Sequence, residues 1–522
     1  MSVNFQWTQE QSSDNLAPMP DRQNFPAIFA TYARRHLFNA ASAAILGLLA
    51  WLFVHYIDFA SYFDHGEPNM ASRSWRVVQG LPAYMPSDAP DFLLTVYGPL
   101  PYLWNGFWLS LFGGSIAASK LGGILAAIVT LAAFAHHVWH RFGAPWLAPG
   151  MALLGAGMLM STPYAFWTRA DPITLMIASL GLAASAQFGR SGKAWWAAPL
   201  ALGLAAGLAM NVKAHGFLFL APLALGFAAR RWLLAWPLAA FSAIAAWYLP
   251  FLHPSFPLDL YLGGLSKVVG VRGIEPDLLL YALKRMLPFL APLLLLPLAW
   301  KKLERNERLY ALGYGLCVLI GLYPASVAGS AWYQLVPFLP IWADLCLRLG
   351  RAALPASPKR LTGALLLLIL IPLFLGWPAQ RRMHKYMNER SWMSEAKAEI
   401  LDVLARHPGQ KVEMGFGRDV AETYRTTFLK PILAFAGHPT TFDGWSDMEA
   451  AFIGLPPSAA RRERLVGCQS DLWLIPAGEP PFTMPSVFLG QDFLFSYRQA
   501  FLESYEAKEK GRFFDVWGCR GG

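Results

Sequence analysis

Two carboxylates, Asp64 and Glu67, open the stretch DHGEPNMASRSWRVVQGLPAY (64–84), which also carries Arg73 and Arg76. A carboxylate at a membrane edge can take the proton of an acceptor hydroxyl, so either acid is a candidate general base. The helix dipole alone also favours an acid at the start of a helix, so each, taken singly, reads more readily as a structural charge. The stretch continues helix-like until Gly80 and Pro82 break it. Arg169 and Asp171 in TRADP (168–172), and Lys213 and His215 in NVKAHG (211–216), stand at the ends of apolar segments. Ionisable groups at that depth face a cavity or each other, and Asp171 with Lys213 reads as an ion pair as readily as a site. His253, Lys267 and Arg272 fall among Gly and Pro in 252–278, beside Asp259 and Glu275. Arg holds a phosphate through paired hydrogen bonds and Lys as a point charge, although ordinary lipid headgroups favour the same residues.

Other chemistry has less support. The sequence holds no GxxxxGK[ST] phosphate loop, no HExxH zinc motif and no GxSxG nucleophile elbow. His136, His137 and His140 could be drawn into a metal site, but their basic surroundings fit interfacial side chains reaching for water. The Trp and Tyr content is that of aromatic belts at membrane surfaces.

These residues must be positioned by a membrane protein. With 522 residues, 55% hydrophobic and 15% charged, a single soluble domain is excluded. The net charge of +10 falls mostly between apolar runs, as the positive-inside rule requires, so nucleic acid is not an expected partner. Arg34 and Arg35 put the tail 1–36 in the cytoplasm, and the first apolar segment, 37–57, delivers 58–117 to the outer side. Within that loop 97–112 is apolar but short, and reads as a helix lying in the interface. Further spans follow near 118–138, 145–163, 172–188, 194–211, 214–229, 232–251, 279–299, 309–327, 333–348 and 361–378. This count of eleven places HHVWHR (136–141), GRSGK (189–193), ARR (229–231) and KKLERNER (301–308) inside, with the first loop, TRADP, NVKAHG, 252–278 and SVAGSAWYQ (326–334) outside. Counting 97–112 as a span would reverse every basic cluster. Residues 379–522 alternate amphipathic and strand-like runs, the pattern of a small α/β domain outside the membrane. Cys317 and Cys346 read as core residues. Cys468 and Cys519 pair if that domain is extracytoplasmic, or are two buried thiols.

The order of these features resembles the GT-C glycosyltransferases, polytopic enzymes that use polyprenyl-phosphate sugars and include protein O-mannosyltransferases and lipid A aminoarabinose transferases. D-x-x-E (64–67) followed by a helix and QGLPAY resembles that family's acidic motif and its G-x-x-Y ending. VYGPLPYLWNGFWLSLFGGSIAASKLGG (96–123) is similar to its PPL interfacial helix and next span, with Lys120 where an Arg is common. TRADP resembles its R-x-D turn and NVKAHG its outer-facing Lys. The resemblance covers roughly residues 37–300. It implies a polytopic all-α GT-C fold with two interfacial helices in the first outer loop and a catalytic carboxylate there. Carried over by position, Glu67, 13 residues before Gly80, is the base and Asp64 the reserve, because His65 and Gly66 separate acids that are adjacent in most members. Asp171 is a second active-site carboxylate. Lys213, Arg272, Lys267 and Arg169 bind the lipid phosphate, and Arg76, Tyr97, His215 and His253 complete the substrate contacts.

The expected reaction is one displacement at the anomeric carbon, inverting it, with cations stabilising the departing phosphate. No cofactor is required, and a divalent ion between Asp171 and phosphate is allowed but not demanded. The expected partners are the bilayer, a polyprenyl-phosphate-linked sugar donor and a glycan, lipid or protein acceptor. TFDGWSDME (441–449) is a candidate acceptor contact, or simply a folded turn. The bacterial inner membrane, with the C-terminal domain periplasmic, is the expected location. A transporter or flippase of lipid-linked substrates, or a catalytically silent scaffold of the same fold, are the competing readings.

Overall fold

The computed structural model describes residues 25–94, 96–188, 196–226, 232–355, 357–418, 423–485 and 494–521. Most of the expected cytoplasmic tail (1–24) and the clusters GRSGK and ARR lie outside the described residues.

Helix α1 (Phe25–Asp58) enters the first loop, where α2 (Gly66–Val78) and α3 (Leu100–Phe112) form, and α4 (Ile116–Phe142) follows. Both helices expected in that loop are present; α3 begins after Pro99, whose ring suits a helix start, so Tyr97 precedes it. Next come α5 (Leu147–Met160), α6 (Ala170–Phe188) and α7 (Ala197–Val212). Helices α5 and α6 are apolar on nearly every side and buried all round, which makes them the centre of the bundle. Beyond them lie α8 (Ala221–Gly226), α9 (Trp232–Tyr248), α10 (Leu258–Val271), α11 (Pro276–Leu290) and α12 (Leu296–Ala299). Then α13 (Arg305–Ile320), α14 (Leu322–Ser326), α15 (Leu339–Ala353) and α16 (Pro358–Glu389) complete the bundle. Among the described residues, six helical stretches are long and apolar enough to cross a membrane: Ala33–Asp58, Ile116–Phe142, Leu234–Leu252, Pro276–Lys302, Arg305–Ser326 and Pro358–Glu389. Helix α7 approaches α9 through Gly203 and Gly207, where a Cβ would strike the carbonyls of Ala239 and Ala243.

Three expectations need correction. Residues 252–278 are not an irregular loop. Leu258, Tyr261, Leu265 and Val268 recur at helical spacing in α10, burying Tyr261 and Val268, and this periodicity outweighs the glycines at 263, 264 and 270. HHVWHR is the last turn of α4, in which His137 faces inward while His136 and His140 are exposed. A buried acid on α15 explains this: Asp344 takes His137 Nε2 at 2.7 Å on one oxygen, and Tyr310 Oη at 2.9 Å and Arg348 Nε at 2.6 Å on the other. Finally, α16 does not stop near Pro378 but runs to Glu389.

The C-terminal unit contains α17 (Met393–Arg406), α18 (Pro431–Phe435), α19 (Gly444–Phe452), α20 (Ala459–Val466) and α21 (Phe495–Ser504) around one sheet. Strands β1 (Val412–Met414), β2 (Leu472–Pro476), β3 (Tyr505–Glu509) and β4 (Phe514–Cys519) take the order β1-β2-β4-β3. The β1–β2 pair is parallel and the others antiparallel, with Trp473 opposite Trp517. Trp473, Leu474, Phe482, Phe501 and Tyr505 fill its core, which continues into Tyr62, Ala71 and Ile116 of the membrane part. Cys468 and Cys519 form a disulfide, while Cys317 and Cys346 are buried and free.

Candidate active site

Glu67 lies in the first turn of α2 and is fully buried. Its carboxylate accepts from the backbone N–H of Phe63 (2.8 Å) and of Thr168 (3.0 Å) and from the Tyr56 hydroxyl. It therefore fastens the first loop to α1 and to the turn before α6. Burial pushes its carboxyl above the usual glutamate value, and the Tyr56 and Thr168 hydrogen bonds only partly oppose this. Glu67, the acid the resemblance puts first as base, does not line the large cavity described next: its lone pairs face Tyr56 and backbone donors that would otherwise be stranded.

Asp64, just before α2, does line that cavity, whose volume is about 910 Å³. It accepts from Gly66 N at 2.7 Å and Arg169 Nη1 at 2.8 Å, with His65 Nδ1 at 3.5 Å. Gly66 is needed here, because a Cβ would crowd Asp64 Oδ1 and the Arg169 guanidinium. Burial acts to raise the Asp64 carboxyl, but the neighbouring His65 imidazole, the Arg169 charge and the Gly66 N–H outweigh it and hold it below the usual aspartate value. Arg169 also donates to Tyr97 Oη at 2.8 Å and lies over the Trp167 and Tyr333 rings. Tyr97 therefore belongs to the site, through its hydroxyl.

The bundle supplies a second charged group. Lys213 follows α7 and lines the cavity, donating to Asp171 Oδ1 (2.5 Å) and Gln334 Oε1 (2.7 Å). Asp171 is buried behind it and also accepts from Trp167 Nε1 at 3.1 Å. It is paired with Lys213 and absent from the cavity wall, the ion-pair alternative read from the sequence. His215 lines the wall beside Lys213.

The C-terminal unit closes the opposite side. Arg272, at the end of α10, pairs with Glu449 of α19 at 2.8 Å, and Glu449 also accepts from Trp445 Nε1 at 3.2 Å. His65 stacks on Trp445 with ring centroids 3.9 Å apart, and Leu94 N donates to Ser446 Oγ at 2.7 Å. TFDGWSDME thus reaches the cavity through Trp445, Ser446 and Glu449.

Three expected contacts lie elsewhere. Arg76 turns to Asp91 (2.7 Å) and Pro82 O (3.2 Å), Lys267 is exposed on α10, and His253 is exposed with its Nδ1 accepting from Ser255 N. Among the described residues, no group of three or more His, Cys, Asp or Glu side chains is placed to hold a metal ion. Sequence reasoning missed Tyr164, Trp167 and Tyr333, whose rings line the cavity and not a membrane belt, and Gln334 beside them. Arg73, noticed but given no role, lines it too.

The arrangement offers an ionised carboxylate, several cations and flat aromatic faces around one large space, a combination suited to a sugar bearing an anionic leaving group. The backbone is similar to two crystal structures of ArnT from Cupriavidus metallidurans. The one bound to undecaprenyl phosphate is 13% identical, with a TM-score of 0.54, and the match covers 92% of this chain and 99% of that chain. The apo structure is 14% identical, with a TM-score of 0.52, over 92% and 98%. No family model and no curated protein matches the sequence. The chain thus shares the fold of these structures, an integral membrane protein of apolar helices with a small C-terminal sheet.

Proposed function

We propose that this protein is an inverting membrane glycosyltransferase that moves a sugar from a polyprenyl-phosphate donor to a hydroxyl of a glycan, lipid or protein acceptor. The observation that carries this reading is Asp64, an ionised carboxylate on the wall of a cavity that also presents Lys213, Arg272 and a cluster of aromatic rings. The GT-C fold shared with a protein crystallised with undecaprenyl phosphate supports the same donor class.

In this mechanism the acceptor oxygen attacks the anomeric carbon while the bond to the phosphate oxygen breaks, and that oxygen keeps the electron pair. The acceptor proton passes to Asp64, which replaces Glu67 as base, and the anomeric centre inverts. Lys213 and Arg272 meet the negative charge growing on the leaving phosphate, where preorganised cations have most effect. Arg169 holds Asp64 in place until substrate phosphate competes for its guanidinium; Asp64 then regains basicity as its counter-charge moves away. Asp171 and Glu67 are positioning residues, acting through Lys213 and through the loop. The Cys468–Cys519 disulfide fits an oxidising compartment, which supports a periplasmic C-terminal unit and cavity and a cytoplasmic N-terminus in this reading.

Native mass spectrometry of wild type and Asp64→Asn tests this. The variant is expected to retain a glycosylated polyprenyl phosphate that wild type turns over, with activity reduced about a thousandfold. Recovery of bulk phospholipid alone from both would sink the donor assignment and favour a transporter or a silent scaffold.

A further inference from the structure

Among the described residues, four Lys or Arg side chains line the large cavity: Arg73, Arg169, Lys213 and Arg272. Three face a carboxylate: Arg169 has Asp64 at 2.8 Å, Lys213 has Asp171 at 2.5 Å and Arg272 has Glu449 at 2.8 Å. Arg73 makes no ion pair among the described residues, although it is only 3% exposed. Its Nη2 donates to Leu94 O at 3.2 Å, and its Nη1 has no hydrogen-bond partner among the described residues. A guanidinium withdrawn from water without a counter-charge is strongly unfavourable, and such groups in membrane proteins mark binding sites. The acids of the facing α19 and its N-cap are engaged elsewhere: Asp443 by Lys430, Asn69 and Ser446 N, Asp447 by Arg461, and Glu449 by Arg272.

We propose that Arg73 is the centre of an anion subsite, in which a phosphate or carboxylate group of a substrate supplies the acceptor that Nη1 lacks. The subsite lies on the side of the cavity closed by the C-terminal unit. Leu94 ties it there, its carbonyl taking Arg73 while its N–H donates to Ser446 of α19. Lys213, held by Asp171 and Gln334, belongs to the bundle side, so the cavity has two anion positions. This rests on the glycosyltransferase reading for the identity of the ligand: the anion is either the donor's phosphate or an acidic group on the second substrate.

The test uses full-length protein in nanodiscs, probed with inorganic phosphate and with polyprenyl phosphate, against chloride of equal ionic strength. Phosphate is expected to raise the wild-type Tm, and Arg73→Gln to weaken its apparent affinity about tenfold. Because Arg73 leaves no charged partner stranded, Arg73→Gln should fold with a Tm at or above that of wild type. If that variant does not fold, Arg73→Lys, which keeps the charge and loses the fork, is expected to fold and to weaken phosphate about threefold. Weakening of inorganic phosphate alone assigns the subsite to the second substrate, and parallel weakening of polyprenyl phosphate assigns it to the donor; either result supports it. Unchanged binding of both probes in the variants, or no phosphate effect on wild type, overturns it. Arg73-dependent phosphate binding by a protein that ignores polyprenyl phosphate would uphold the subsite and sink the donor assignment.

Discussion

Asp64 and Glu67 are shifted in opposite directions, and this separates their roles by experiment. Asp64 lies below the ordinary aspartate value. As pH falls it stays ionised after an unfolded aspartate has taken up its proton, and its basicity and the stability of its ion pair are lost only as pH falls through its own lowered value. Glu67 lies above the ordinary glutamate value, so it takes up a proton before an unfolded glutamate would, and its ionised form weighs against folding at higher pH. If Asp64 is the base, kcat/KM should stay flat from pH 7 down to about 5, with its acid limb below the ordinary carboxylate range; a limb above that range would point back to Glu67. Glu67→Gln should instead act on the fold, stranding one of its donors at a cost of about 1–3 kcal/mol, seen as a lower Tm in a variant that still turns over. The sequence shows that an acid pair is present but not which acid faces the substrate, because that depends on Tyr56 and Thr168, which come from distant segments. Arg73 and Arg76 pose the same problem. They stand roughly 60° apart around α2, enough to send one to the cavity and the other to Asp91.

Among the elements, α1 and α4 set where the acid loop begins. Lys120 of α4 is buried and donates to the carbonyls of Tyr56 (2.7 Å) and Phe59, the open end of α1. A cation at a helix C-terminus satisfies groups that have no partner within the helix. Lys120→Met should strand both carbonyls, at a cost of about 2–4 kcal/mol, and lower Tm and activity together, since Asp64 follows within a few residues. An unchanged Tm would show that water replaces the ammonium. Apolar periodicity made most of the bundle legible in the sequence, including α2 and α3. It failed at α10, where four glycines from 263 to 273 masked a helical pattern of apolar residues. It also failed for His137, because the sequence around it gives no sign of Asp344 more than two hundred positions away.

At the scale of the molecule, the cavity is built by two units, and Arg272–Glu449 spans them. Arg272→Glu or Glu449→Arg alone should lower Tm by placing like charges together, and the double exchange should recover much of that Tm, with a coupling of about 1–3 kcal/mol in a double-mutant cycle, while turnover stays low because position 272 no longer offers a cation. Additive losses would mean that the contact does not hold the units. The C-terminal contribution was visible in the sequence only as an acidic, Trp-containing turn, since nothing local shows that Trp445 meets His65. The two walls are also made at different times. Asp64 and α2 leave the ribosome early and α19 near the end, so through most of synthesis the acid loop stands beside an open space, with Tyr62 and Ala71 uncovered. On the proposed function, competence to transfer sugar arrives late in biogenesis. A chain that stalls before α19 is an inserted membrane protein with Asp64 in place and no closed vessel around it.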